Sequence, residues 1–123
     1  MTRVALVVDD DAVSRLVLCH MLRRLGWAVD QAADSTEAID SVVDSHHDLV
    51  ISDFHLPSGT GIDVLEEVER RDDPPAFVLV TGILEYSTLS ADISARLAGE
   101  LTKPVSSESL RRTLHNLFPP ASD

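Results

Sequence analysis

Short apolar runs alternate along the chain with longer stretches of helical periodicity. Val4-Ala5-Leu6-Val7-Val8 is apolar throughout and β-branched at three of its five positions. A run with no polar alternation suits a strand covered on both faces. Similar runs recur at Leu49-Val50-Ile51 and Phe77-Val78-Leu79-Val80, with weaker ones at Ala28 to Ala32 and Glu100 to Thr102.

Helical segments lie between them. Asp11 is a fitting N-cap for a helix from Ala12 to about Leu25, because its carboxylate can accept orphan backbone N–H groups. Gly26 suits the position just past that helix. Asp34 with Glu37 three residues on reads as a capping box for a second helix, predicted to present Ile39, Val42 and Val43 to the core. A third, from Ile62 to about Arg70, has Val64, Leu65 and Val68 at helical spacing, and Asp72-Asp73-Pro74-Pro75 stops it. A fourth is expected over Ser87 to Leu97. The fifth, Ser107 to Leu117, carries Leu110, Leu114 and Leu117 on one stripe and is closed by Pro119-Pro120. The predicted domain is residues 1–119, with 120–123 a frayed tail.

Five strands alternating with five helices imply an α/β fold, a doubly wound parallel sheet with right-handed crossovers and helices on both faces. Ligands of such sheets gather at the carboxyl ends of the strands.

Composition narrows the options. A chain of 123 residues is one domain's worth and can bury a core without staples. Ten Lys and Arg against 21 Asp and Glu give a net charge of −11. That surface repels phosphate backbones and anionic lipid, which argues against direct nucleic-acid or membrane binding. The single cysteine, Cys19, excludes an internal disulfide framework and a Cys-based zinc site. The apolar run after Arg3 ends at Asp9, too soon for a signal peptide, and nothing approaches a membrane span. The expectation is a cytoplasmic domain.

The residues just past each strand carry the candidate chemistry. Asp9, Asp10 and Asp11 follow the first, Asp53 the third, Thr81 the fourth and Lys103-Pro104 the fifth. Carboxylates gathered at one sheet edge repel one another, and a divalent cation would relieve that repulsion. Oxygen-only ligands favour Mg²⁺. One carboxylate could then act as a nucleophile towards phosphorus, with Thr81 and Lys103 contacting the phosphoryl oxygens.

Four stretches, Val7-Val8-Asp9-Asp10-Asp11, Val50-Ile51-Ser52-Asp53-Phe54-His55-Leu56-Pro57, Val80-Thr81-Gly82 and Leu101-Thr102-Lys103-Pro104, resemble the receiver domain of two-component response regulators. The resemblance runs from about Arg3 to Leu117 and implies a flavodoxin-like sheet of order 2-1-3-4-5. It implies that Asp53 accepts a phosphoryl group from a histidine kinase or histidine phosphotransfer protein and so switches binding of a downstream protein target. Asp10 would ligate Mg²⁺ directly, Asp9 directly or through water, Asp53 through one oxygen, and His55 through its backbone carbonyl. Thr81 would move towards the phosphoryl group, Lys103 would pair with it, and Gly82 would leave room. A cis Lys103–Pro104 bond is also implied.

The match departs from the family at the output step, with Glu100 where receivers usually carry an aromatic residue; Tyr86 is a substitute to consider. The loop from Pro57 to Gly61 lacks the commoner acidic residue before its last glycine. His55 and Ile83 stand where family side chains flank the attacking water, and are expected to set signal lifetime.

Other features have plainer readings. Asp11 is taken as a cap only, and Asp34, Ser35 and Thr36 as ordinary helix-start residues. His46 and His47 are expected to be solvated, His20 and His115 to have no partner, Cys19 to be inert core, and Glu66, Glu67 and Glu69 to form a solvated face. The favoured function is a switch that phosphorylates itself from a donor and turns over no free substrate. The alternative is a Mg²⁺-dependent aspartyl-phosphate phosphohydrolase, which would want a second acid two residues after its nucleophile. Among the carboxylates at the strand ends, only Asp9 and Asp11 offer that spacing, which favours the switch.

Overall fold

The computed structural model describes residues 2–82 and 89–119. Its sheet strands are β1 (Val4–Val8), β2 (Ala28–Ala32), β3 (Leu49–Asp53), β6 (Ala76–Thr81) and β7 (Gly99–Thr102). They pair in parallel in the order β2-β1-β3-β6-β7, which is 2-1-3-4-5 when the sheet strands are numbered alone. The helices are α1 (Ala12–Arg24), α2 (Ser35–Asp44), α3 (Gly61–Glu69), α4 (Ala91–Arg96) and α5 (Ser107–Leu117).

Strands with apolar side chains on both faces need cover on both. On one side Ala5, Val7, Leu49 and Ile51 meet Leu18, Cys19 and Leu22 of α1 and Leu110 and Leu114 of α5. On the other, Leu6, Val8, Val50 and Leu79 meet Ala38 and Val42 of α2 and Val64, Leu65 and Val68 of α3. Cys19 is buried in the first of these cores. Burying each such Val, Leu or Ile side chain is worth roughly 1.5–3 kcal/mol before the entropy of ordering it.

Caps fix where the helices begin. Asp11 accepts from Val13 N (3.3 Å) and Asp34 from Glu37 N (2.8 Å). Glu37 reaches back to Ala33 N at 3.4 Å, one residue short of the Asp34 N–H that a closed capping box would use. The reciprocal box belongs instead to α3, between Thr60 and Asp63. Gly26 takes φ +93° after α1, a conformation that suits glycine.

Beyond the capping box, four expectations need correction. Val43 is half exposed at 51%, because the buried stripe of α2 runs through Ser35, Ala38 and Val42 and leaves position 43 turned about 100° away. α4 begins at Ala91, capped by Ser90, so Leu89 and Ser90 precede it; Ser87 lies outside the described residues. His47 is buried, its Nε2 held 2.8 Å from Asp30 of β2, while His46 stays exposed. The Glu66–Glu69 face is not simply solvated. Glu67 is largely covered and pairs with Arg70 and Arg71, and Glu69 pairs with Arg96.

An extra hairpin, β4 (His55–Leu56) with β5 (Gly59–Thr60), lies between β3 and α3. Its turn is Pro57-Ser58. Ser58 takes φ +65°, a left-handed backbone that costs a residue with a Cβ roughly 1–2 kcal/mol.

Candidate functional site

All five sheet strands run the same way, so the segments that follow them emerge at one edge. Asp9 follows β1 and is 6% exposed, and Asp10 beside it is exposed. Asp53 ends β3 and is 7% exposed. The fully buried Thr81 ends β6, and Lys103 follows β7. Lys103 N donates to the Thr81 carbonyl at 2.8 Å, and the Lys103–Pro104 bond is cis. The lysine side chain turns back across the edge, and its Nζ lies 2.6 Å from Asp53 Oδ2.

One carboxylate oxygen from each of Asp9, Asp10 and Asp53 can be chosen so that all three lie within 4.8 Å of one another. Among the described residues this is the only such group of three or more His, Cys, Asp or Glu side chains. Two of its members are buried, and its donors are all oxygen, a set that fits a hard divalent cation such as Mg²⁺ and offers nothing to a thiophilic metal. The electrostatics agree. Burial pushes the Asp9 carboxyl above its ordinary value, with Asp53 and Asp10 adding to the rise against the Asp11 N–H bond (2.9 Å) and the Lys103 charge. For Lys103, burial alone would lower the ammonium's pKa. The bond to Asp53 and the charges of Asp53, Asp9 and Asp10 outweigh it, and the net shift is upward.

Thr81 Oγ1 is buried and has no hydrogen-bond partner among the described residues. A hydroxyl hidden without a partner is a standing cost that an incoming oxygen could remove. His55 heads the hairpin just past Asp53, its side chain exposed and its ring 4.9 Å from Phe54. Asp11 is outside the cluster and serves as the cap of α1. Glu100 is half-buried on β7. Ile83 and Tyr86 lie outside the described residues.

Two further features shape the site. Gly61 is packed so closely that a Cβ there would come 2.6 Å from the Asp53 carbonyl oxygen. Its pairing of a loop glycine with a helix start was the available signal. A cavity of about 420 Å³ also opens beside Asp53 and Lys103, walled by Val13, Val17 and Met21 of α1 and by Pro104. Val13 (70%), Leu16 (54%) and Val17 (49%) leave this face of α1 exposed and apolar, a signal legible as apolar residues falling off the core stripe of that helix.

Comparison with known proteins agrees with this geometry. The response regulator receiver domain family matches residues 5–115, and the chain belongs to that family. It is a receiver domain, the phosphoacceptor module of two-component signalling. Among curated proteins it is 30% identical over 111 residues to the sensory transduction protein LytT of Bacillus subtilis, covering 89% of this chain and 45% of that one. It is 28% identical over 116 residues to a probable chemotaxis protein CheY of Rhizobium etli, covering 92% and 90%. The chain thus spans less than half of the first relative and nearly all of the second. Among solved structures, the response regulator TrrA of Thermotoga maritima in complex with Mg²⁺–BeF superposes with a TM-score of 0.83 at 26% identity, covering 95% of this chain and all of that one. No described helix is long and apolar enough to cross a membrane.

Proposed function

We propose that Asp53 is the phosphoacceptor, that Asp9, Asp10, Asp53 and the His55 backbone carbonyl hold Mg²⁺, and that Lys103 and Thr81 receive the phosphoryl oxygens. The observation that carries this reading is the Asp53 carboxylate, nearly buried, tied to Lys103 at 2.6 Å and grouped with two further carboxylates.

In the step, an Asp53 carboxylate oxygen attacks phosphorus in line. The new O–P bond forms as the P–N bond of a donor phosphohistidine breaks, and the electron pair leaves with the imidazole. When bound, Mg²⁺ supplies positive charge against the carboxylates and the phosphoryl oxygens. The chain's own groups position and neutralise: Lys103 transfers its ammonium contact from Asp53 to a phosphoryl oxygen, and the Thr81 hydroxyl gains a partner that it lacks among the described residues. The donor is a histidine kinase or histidine phosphotransfer protein, and the apolar face of α1 beside the site is where it docks. Phosphorylation then shifts the equilibrium between two packings and alters binding of a downstream protein target. The chain works in the cytoplasm, away from nucleic acid and membrane, which its net charge of −11 disfavours.

The test is incubation with Mg²⁺ and acetyl phosphate followed by intact mass. A single phosphoryl adduct is expected, absent in Asp53→Asn and after chelation. An adduct that persists in Asp53→Asn overturns the assignment. Sustained hydrolysis of unrelated phosphomonoesters would revive the phosphohydrolase reading, which the family match disfavours.

A further inference from the structure

Ser35 reads in sequence as an ordinary helix-start residue, yet it is 3% exposed and points across to the hairpin after Asp53. Its Oγ lies 3.0 Å from Ser58 Oγ and 3.5 Å from the Pro57 carbonyl oxygen. Thr36 Oγ1 adds a contact to Ser58 Oγ at 3.4 Å. These contacts meet at the one non-glycine residue with positive φ among those described. A strained backbone persists only where its surroundings over-determine it. Here the surroundings are the first turn of α2.

The far side of the hairpin is held as firmly. Thr60 N donates to Asp63 Oδ2 at 2.9 Å, and Ile62 N donates to Thr60 Oγ1 at 3.2 Å. A Cβ on Gly59 would run into the Asp63 carboxylate and the Ser35 hydroxyl together. At the foot of the hairpin, Gly61 N donates to the Phe54 carbonyl at 2.8 Å, with Gly61 against the Asp53 backbone.

We infer that Ser35 and Ser58 form a clasp between α2 and the hairpin, and that they are positioning residues for the cation site. By holding Ser58 in its left-handed conformation, the clasp fixes the hairpin tip and with it the His55 carbonyl relative to Asp53. This inference rests on the reading of the site given above. Groups that orient a ligand without touching the ion commonly govern affinity by tenfold or more.

The experiment measures Mg²⁺ affinity by calorimetry in the wild type, Ser35→Ala, Ser58→Ala and Ser58→Gly. Amide exchange over residues 55–60 and the phosphorylation rate at saturating Mg²⁺ are read on the same proteins. Ser35→Ala and Ser58→Ala are expected to weaken Mg²⁺ by about tenfold, speed exchange across the hairpin, and leave the saturated rate near that of the wild type. Ser58→Gly loses the hydroxyl but adopts positive φ freely, so it is expected to lose distinctly less affinity. Ser58 is exposed, so its two variants keep the test open should Ser35→Ala fail to fold. Unchanged Mg²⁺ affinity in Ser35→Ala and Ser58→Ala, whatever happens to thermal stability, overturns the clasp while leaving the site intact. A wild type that binds no Mg²⁺ overturns the site assignment and the clasp with it.

Discussion

At the edge where the strands begin, charged groups are matched singly, while His47 Nδ1 and Arg71 Nε are buried with no hydrogen-bond partner among the described residues. Asp48 Oδ2 accepts from Val4 N at 2.8 Å, and buried His47 is paired through Nε2 with Asp30. Trp27 meets Phe118 edge-on at 5.1 Å, with the Arg3 guanidinium over the same Phe118 ring. At the opposite edge three carboxylates gather about one ammonium, and the Thr81 hydroxyl has no partner among the described residues. The backbone architecture is the same at both ends. What differs is the balance of charge, because carboxylates outnumber the ammonium at the edge that carries the candidate site.

The contrast can be tested at both ends. The largest effect is expected from Lys103→Ala, which removes the sole cation bonded to Asp53 among the described contacts. Phosphoryl acceptance from acetyl phosphate should fall about 100-fold, and the urea midpoint should fall as well, because the nearly buried Asp53 carboxylate loses its ammonium partner. A loss of stability without loss of transfer would make this edge structural after all. His47→Ala should cost stability and spare transfer. It deletes a buried ring and its bond to the exposed Asp30, so it should cost about 2–3 kcal/mol in urea unfolding and leave the rate of adduct formation unchanged.

The smallest effect concerns Asp9. Its pKa is raised in the folded protein, so folding favours the protonated form. The associated stability is fully present below the ordinary carboxylate value and is lost as pH rises through the folded one. Asp9→Asn, which does not titrate, should therefore match the Mg²⁺-free wild type at low pH. At pH 7 it should be the more stable, by on the order of 1 kcal/mol. Urea midpoints across that range decide it; a variant less stable at pH 7 would mean that Asp9 is already compensated.

The parts of the fold that declared themselves in sequence are those with one dominant cause. Val4–Val8 and Ala76–Thr81 are sealed on both faces, and burial leaves an unbroken apolar run. The candidate site was legible because Asp9, Asp10, Asp53, Thr81 and Lys103 each end or follow a strand, and a parallel sheet delivers such positions to one edge. Features that depend on partners distant in sequence left no trace. His47 looked solvated because Asp30 stands 17 residues away on another strand. The β4–β5 hairpin, two residues a side, is too short for any periodicity to register. α4 buries none of its six residues fully and so shows no stripe. In α2, small Ala38 marks the inward face, and a reading weighted towards large side chains favours Val43 instead.

The common strand direction also orients the helices. Every helix that follows a strand starts at the acidic edge, so α1, α2 and α3 all turn their amino ends that way. Each such end carries a partial positive charge of about half an electron's worth, supplied by peptide groups rather than by any side chain. The carboxylates therefore collect where several weak fields overlap, and reversing a single crossover would set a partial negative pole against them. The backbone helps this much acid to gather because its own dipoles already lean in favour.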